Sequence, residues 1–191
     1  MNERETRGEL LDAAERLVRS RGFNGFSYRD LANEVGIKTA SIHYHFPSKS
    51  DLGEALVERE RDVFAQHLAQ LDAEEKDPRR RLERFVRLFQ ASTIGCGNRM
   101  CLGAMLAVEQ DTLPASMRQA VQELFTQNEA WLAKLLEEGR KLRQFSFKGP
   151  AEVAARALFS SLEGALLTAR TFQDIRRFEA ATRWILQTIS V

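Results

Sequence analysis

Cysteine and proline are scarce in this chain, which has two cysteines and four prolines in 191 residues. So few prolines leave long stretches free to form helices. No run of about 20 apolar residues is present, so we expect no membrane-spanning helix. The charged residues 1–5 precede no apolar segment, so we expect no secretion signal, reduced thiols and a cytoplasmic location.

An excess of charge of one sign is also lacking, because the formal net charge is only +1. This value argues against an architectural protein that coats DNA without sequence preference. The charges are nevertheless unevenly placed, since no acidic residue lies between Glu34 and Asp51. The same interval holds Lys38, His43, His45 and Lys49. A segment rich in donors and free of carboxylates is what phosphate approach requires.

Residues 27–46 predict two short helices joined by a tight turn. Ser27 and Asp30 have the spacing of a capping box, and Gly36 can take the left-handed conformation that ends a helix. Ile42 and Phe46, four residues apart, give the second helix one buried face. Its other face carries Thr39, Ala40, Ser41, His43 and Tyr44. Such a helix pair can place its second helix in a DNA major groove.

The rest of the sequence has helical periodicity throughout, with no strand pattern and no internal repeat. Apolar residues from Leu10 to Val18 predict a first helix that ends at Gly22. Further helices are expected after the Ser48–Asp51 cap, after Pro78, at residues 101–110, after Pro114, and at residues 151–171 and 174–190. The predicted fold class is therefore all-α.

Residues 7–52 resemble the DNA-binding domain of the TetR family of bacterial transcriptional regulators. The resemblance rests on the link Gly22-Phe23-Asn24-Gly25-Phe26-Ser27, the helix pair, and the run His43-Tyr44-His45-Phe46-Pro47-Ser48-Lys49-Ser50-Asp51-Leu52, which fits the family pattern Tyr-x-His-Phe-x-x-Lys-x-x-Leu. In two departures, His43 stands where the family has tyrosine and Lys38 where it has a capping serine, which leaves Thr39 as an alternative cap. The resemblance implies a three-helix DNA-binding domain over residues 1–50 and a helical ligand-binding and dimerisation domain over residues 51–191.

By the same resemblance, the expected DNA contacts fall into two groups. Those that hold phosphates are Ser27, Tyr28, Tyr44, His45 and Lys49, and those that face base edges or adjacent phosphates are Lys38, Thr39, Ala40, Ser41 and His43. Lysine and histidine can donate to guanine acceptors, while hydroxyls suit phosphate oxygens. The alternative is an ordinary solvated face. His43 and His45 are two positions apart and point in different directions on a helix, so we expect no metal site.

Cys96 and Cys101 do not have the spacing of a zinc site, and no histidine is near them in sequence. One interpretation is two small buried apolar side chains. The other is a sensing thiol at Cys101, which lies at the start of a predicted helix and close to Arg99 in sequence. Cys96 could then approach Cys101 and form a disulfide with it. Residues 101–109 also resemble a TetR subgroup in which a Gly-Cys-Leu precedes a helix ending in Ala-x-Glu, although Met100 replaces the glycine here. Some members of that subgroup sense electrophiles or oxidants through the cysteine.

Met105, Phe125 and Trp131 are candidates to line a ligand cavity, which the resemblance implies, but their helical spacing fits a packed core equally well. No Ser/His/Asp set, phosphate-binding glycine loop or carboxylate cluster is recognisable. We therefore expect neither an enzyme nor a cofactor.

The helix predicted at residues 151–171 is rich in small residues, including Ala157, Ser160, Gly164 and Ala165. It is either an ordinary buried helix or, as the resemblance implies, half of a four-helix homodimer interface formed with the last helix. The favoured function is a dimeric repressor that binds operator DNA and is released by a small-molecule inducer or an electrophile. The alternative is a helical enzyme or binding protein in which the helix-turn-helix serves only as scaffold.

Overall fold

The computed structural model describes residues 3–93 and 100–191, with no side-chain description for residues 92 and 93. The described residues form nine α-helices. They are α1 (Glu3–Arg21), α2 (Tyr28–Val35), α3 (Thr39–His45), α4 (Lys49–Glu74), α5 (Pro78–Thr93), α6 (Leu102–Ala107), α7 (Ala115–Lys141), α8 (Ala151–Phe172) and α9 (Ile175–Ile189). Within these ranges the only β-type pairing is an isolated bridge between Phe145 and Ser190. The all-α prediction is confirmed.

The described chain divides into two compact units. The head unit contains the described residues up to Val63 together with Cys101–Leu124, and the body unit contains residues 64–93, Met100 and Phe125–Val191. The predicted boundary after residue 50 stays a prediction. No helix of the described residues is long and apolar enough to cross a membrane.

Local signals set the helix ends of the head unit. α1 ends before Gly22, whose φ is +85°, and α2 ends at Gly36, whose φ is +78°. Both predicted helix ends are therefore confirmed, and both use glycine because it adopts the left-handed backbone conformation most readily. Before α4, Ser48 and Asp51 exchange cap hydrogen bonds, with Oδ2 of Asp51 2.8 Å from the Ser48 nitrogen.

A buried ion pair joins α1 to α4 inside the head unit. Arg19 is 4% exposed and donates to both carboxylate oxygens of Glu60, at 2.9 and 3.0 Å, and to Glu15 at 2.8 Å. A buried guanidinium needs such partners, since an unpaired charge in this position would be very costly.

Aromatic rings fill the core of the body unit. Phe85 stacks on Trp131 with ring centroids 5.1 Å apart, and Phe159 meets both Phe89 and Phe125 edge to face. The buried Arg81 donates to Glu138 from α7 at 3.0 Å, which ties α5 to α7.

The predicted helix at residues 101–110 is shorter than expected. α6 covers only six residues, and a 3-10 turn at Gln110–Thr112 follows it. Glu109 leaves helical geometry, with φ of −101° and ψ of +12°, and its side chain contacts the turn that follows α1.

Candidate nucleic-acid interface

The predicted helix-turn-helix is present as α2, a turn at Gly36, and α3. The Ser27 side chain accepts from the Asp30 nitrogen while Asp30 accepts from the Ser27 nitrogen, which completes the capping box. The Ser27 hydroxyl and backbone N–H both donate to the Asp30 carboxylate and hold the pKa of Asp30 below its usual value. On α3, Ile42 is 0% exposed and the following Phe46 is 2% exposed, so the predicted buried face is confirmed.

The candidate reading residues lie on the opposite face of α3. Lys38, Ala40, Ser41 and His43 are exposed, and Thr39 is half-buried. Lys38 occupies the N-cap position, and its side chain makes no cap hydrogen bond. The cap is therefore not shifted to Thr39, and α3 begins without the side-chain acceptor that a serine would supply.

His43 is held by two neighbours. Its ring lies 4.9 Å from the Tyr28 ring, and its Nδ1 is 3.2 Å from the Pro47 carbonyl oxygen. Because a carbonyl can only accept, Nδ1 carries the proton in this contact, and the neutral ring then offers Nε2 as an acceptor. That acceptor suits an amino group of adenine or cytosine, whereas a contact to guanine requires the imidazolium.

Two of the candidate phosphate-binding residues also hold the head unit together. The Tyr28 hydroxyl lies 2.9 Å from the Phe46 carbonyl oxygen and 2.5 Å from that of Ser48, both in the link between α3 and α4. Burial and the nearby Asp51 carboxylate raise the pKa of Tyr28 to about 12. The Ser27 hydroxyl is likewise engaged in its capping box. Contacts from either residue to phosphate stay predictions.

Lys49, at the start of α4, donates from Nζ to the carbonyl oxygens of Phe23 and Phe26. The same nitrogen lies 4.7 and 4.2 Å from the centroids of these two rings. An ammonium has three N–H groups, so one remains for a phosphate oxygen. Burial lowers the pKa of Lys49, with Glu109 and Asp30 acting against that effect.

Tyr44 and His45 lie at the C-terminal end of α3, and Tyr44 contacts the first turn of α1. Tyr44 is 72% exposed, and its hydroxyl donates to Glu3 at 3.1 Å. This hydrogen bond and the Glu3 charge raise the pKa of Tyr44. His45 is half-buried against the Tyr44 ring, 5.2 Å away. Across residues 3–93 and 100–191, no group of three or more His, Cys, Asp and Glu side chains is placed to hold a metal.

Glu109 is a contact of the head unit that sequence reasoning did not identify. Its carboxylate accepts from the backbone nitrogens of Phe23 at 2.5 Å and Asn24 at 3.1 Å. The Asn24 amide also donates to Thr112 at 2.7 Å. The Ala-x-Glu ending of the predicted helix singled out Glu109, but not its partners 85 and 86 residues away.

The sensor candidates are placed as follows. Cys101 is the N-cap of the six-residue α6, is 9% exposed, and belongs to the head unit. Burial lowers the pKa of Arg19, but Glu60, Glu15 and Cys101 together raise it above its ordinary value. Met105 is half-buried on α6. Cys96 and Arg99 lie outside the described residues.

Phe125 and Trp131 are half-buried, and each contacts a buried aromatic ring of the body unit. The Phe125 ring is 5.4 Å from Phe159, and Trp131 donates from Nε1 to Asp72 at 3.0 Å. A cavity of about 420 Å³ lies elsewhere in this unit, between α5 and α9. Its lining includes Leu82, Val86, Arg87, Phe145, Arg183 and Leu186, and neither Phe125 nor Trp131.

Two family models match the chain. The model described as "Bacterial regulatory proteins, tetR family" matches residues 10–56, and the model described as "Tetracyclin repressor-like, C-terminal domain" matches residues 78–185. The first match contains the whole helix-turn-helix and the start of α4. The second covers more than half of the chain.

Named relatives agree with the family models. The chain is 29% identical to the HTH-type transcriptional repressor NemR of Escherichia coli (strain K12), over 99% of this chain and 98% of the relative. It is 33% identical to the nucleoid occlusion factor SlmA of Photobacterium profundum, over 84% and 81%. Among solved structures, a TetR-family transcriptional regulator from Agrobacterium tumefaciens superposes with a TM-score of 0.95, at 33% identity over both full chains. The reduced form of E. coli NemR superposes with a TM-score of 0.85, at 27% identity over 97% and 98%.

Proposed function

Since the chain belongs to the TetR family and is a DNA-binding transcriptional regulator, we propose that it acts as a dimeric repressor released from its operator by a small-molecule or electrophile signal. NemR is named a transcriptional repressor, and the Agrobacterium tumefaciens protein is named a transcriptional regulator. This kinship favours the regulator over an enzyme in which the helix-turn-helix is only scaffold. We expect the repressor to act on DNA in the bacterial cytoplasm.

The exposed face of α3 is the observation that carries the DNA-binding part of the proposal. Its exposed side chains include Lys38, Ser41 and His43, which can make polar contacts with base edges or phosphates. Below them, Ile42 and Phe46 anchor the helix in the head unit. A short recognition helix needs a rigid base and a second half-site to reach useful specificity.

Unpartnered apolar side chains on α8 and α9 support the dimer. Val153 and Leu167 on α8 are each 56% exposed, and Trp184 on α9 is 68% exposed. Gly164, also on α8, would accept a Cβ with no atom within 4 Å, so the backbone is open to solvent at that position. Large exposed aromatic residues beside small ones are typical of a helix-packing interface.

The thiol signal would act at Cys101. α6 packs against α1 within the head unit, which also carries α3. An adduct on Cys101 would therefore disturb the packing of the unit that binds DNA. An electrophile would react with the thiolate form of this cysteine. Release from DNA then reflects a shift in the population of head conformations that fit successive major grooves, about 34 Å apart.

A non-covalent inducer is the competing signal. Phe125 and Trp131 would offer an aromatic surface to such a molecule, and this part of the proposal follows the family resemblance. The α5–α9 cavity suits a different ligand, because Arg87 and Arg183 line it beside apolar side chains and would favour an anion.

The experiment is a selection of genomic fragments with the purified protein, followed by a release screen. We expect one enriched inverted repeat, and release by an electrophile that labels Cys101 in intact mass. The Cys101→Ser variant should bind the same fragment but resist the electrophile, while Cys96→Ser should respond as wild type does. If the electrophile still releases the Cys101→Ser protein from DNA, the thiol signal is refuted and a non-covalent inducer is the remaining explanation. If no fragment is enriched, the proposal that the protein is a repressor is refuted.

A further inference from the structure

The turn between α1 and α2 is held from two sides by charged groups. The Phe23 N–H donates to Glu109, and the Phe23 carbonyl accepts from Lys49. Phe23 itself is 5% exposed, so its peptide lies at the edge of the head core. Hydrogen bonds with a charged partner are stronger than neutral ones, and both peptide groups of this residue have one.

The Glu109 carboxylate lies close to the backbone of Gly22, the residue before this turn. A Cβ on Gly22 would lie 2.8 Å from Glu109 Oε1, and the φ of +85° is itself unfavourable for other residues. The carboxylate therefore sits against the backbone of the turn. A second hydrogen bond joins the same two segments: the side-chain amide of Asn24 donates to the hydroxyl of Thr112, in the 3-10 turn that Glu109 precedes.

We propose that Glu109 is a positioning residue for DNA recognition, which fixes the angle at which α2 and α3 leave α1. The inference rests on the proposed DNA-binding function. α2 packs on both α1 and α3, so the pose of the recognition helix follows the turn at residues 22–24. Glu109 touches neither base nor phosphate in this role and acts only through the backbone of the turn.

The proposed sensing thiol, Cys101, lies eight residues before Glu109 in the same segment. Cys101 caps the start of α6, and Glu109 lies two residues past its end. The six-residue helix between them is about 9 Å long, and in this proposal a shift at Cys101 is passed through it to Glu109. Withdrawal of the carboxylate leaves the Phe23 and Asn24 amides without their acceptor, and the recognition helix loses its fixed pose without any contact between the signal and DNA.

The test compares Glu109→Ala and Glu109→Gln with the control Asp111→Ala, an exposed carboxylate two residues further along the 3-10 turn. The probes are a duplex enriched by the wild-type protein and a scrambled duplex of the same length. We expect Glu109→Ala to weaken binding to the enriched duplex about tenfold at a temperature where the protein remains folded by circular dichroism. Binding to the scrambled duplex should change less than about twofold, since phosphate contacts alone govern it.

Glu109→Gln retains one carbonyl acceptor and should recover part of the lost preference, while Asp111→Ala should behave as wild type. Hydrogen exchange at the Phe23 and Asn24 amides should accelerate in Glu109→Ala and not in Asp111→Ala. An equal loss on both duplexes, or an unchanged preference with only a lower melting temperature, would reduce Glu109 to a structural contact and overturn the proposal. A wild-type protein that enriches no duplex would instead refute the DNA-binding function itself.

Discussion

At the scale of single residues, Lys49 combines a structural and a binding role. Two of its three N–H groups donate to Phe23 and Phe26, which leaves one for phosphate. Replacing Lys49 with Met should lower the free energy of unfolding by about 2 kcal/mol, since two hydrogen bonds and the ring contacts are lost. It should also reduce the slope of log affinity against log salt concentration by about one unit.

Chemical denaturation and binding titrations at several salt concentrations measure both effects. Lys38→Met is the matched control, because Lys38 is exposed and makes no cap hydrogen bond. It should leave stability unchanged and alter operator preference. A Lys49→Met protein with a wild-type salt slope would show that the ammonium is structural only.

Glu3 is a second residue whose role only the structure revealed. Its carboxylate accepts from the Tyr44 hydroxyl on the face expected to meet DNA. A negative charge there opposes the phosphate backbone, so Glu3→Gln should tighten binding to all duplexes about two- to fivefold at low salt, with the gain shrinking as salt is added.

Fluorescence anisotropy with labelled duplexes provides this measurement. Glu5→Gln is the control, an exposed carboxylate on the same first turn of α1. Weaker binding by Glu3→Gln would mean that the Tyr44–Glu3 hydrogen bond is needed to orient Tyr44 on DNA.

At the scale of elements, replacing either of two glycines with alanine should change the stability of the protein, in opposite directions. Gly36 has φ of +78° with no atom within 4 Å of the point that a Cβ would occupy, so Gly36→Ala would cost only backbone strain, about 1 kcal/mol. Gly8 lies inside α1 with equally open space, so Gly8→Ala should stabilise by up to about 1 kcal/mol. Thermal melts of the two variants should move in opposite directions, and a shared direction would contradict the assigned helix end.

Signals between near neighbours made the elements of the head predictable. The Ser27–Asp30 box, the Gly36 stop and the Ile42–Phe46 face each depend on residues close together in sequence, and each is present. α6 was predicted too long because the partners of Glu109 are more than 80 residues distant. No local spacing encodes such a contact, so the sequence pattern could indicate the glutamate without its role.

The sequence predicted which residues form the candidate site better than it predicted which groups they contact within the protein. The sequence predicted which side chains lie on the outer face of α3, but not that Pro47 would set the tautomer of His43. The hydroxyl of Tyr28 likewise points to carbonyls in the link between α3 and α4, an arrangement that depends on tertiary folding. These residues remain predicted DNA contacts whose internal partners the structure adds.

At the scale of the whole molecule, Trp184 tests the dimer. Trp184→Glu places a charge on the exposed α9 face, where a partner helix would have to bury it, and should weaken dimerisation by a factor on the order of a hundred or more. Leu142→Glu is the control, an exposed apolar residue of the same unit just beyond α7. Analytical ultracentrifugation should show a monomer for the first variant and a dimer for the second; two dimers would place the interface elsewhere.

The central claim is that a dimer reads two DNA half-sites with α3. The most direct measurement is native mass spectrometry of the wild-type protein on its enriched duplex, combined with footprinting of the same complex. We predict two chains per inverted repeat and two protected major-groove segments related by two-fold symmetry, one or more helical turns apart. A single bound chain, or protection without symmetry or sequence preference, would contradict the claim.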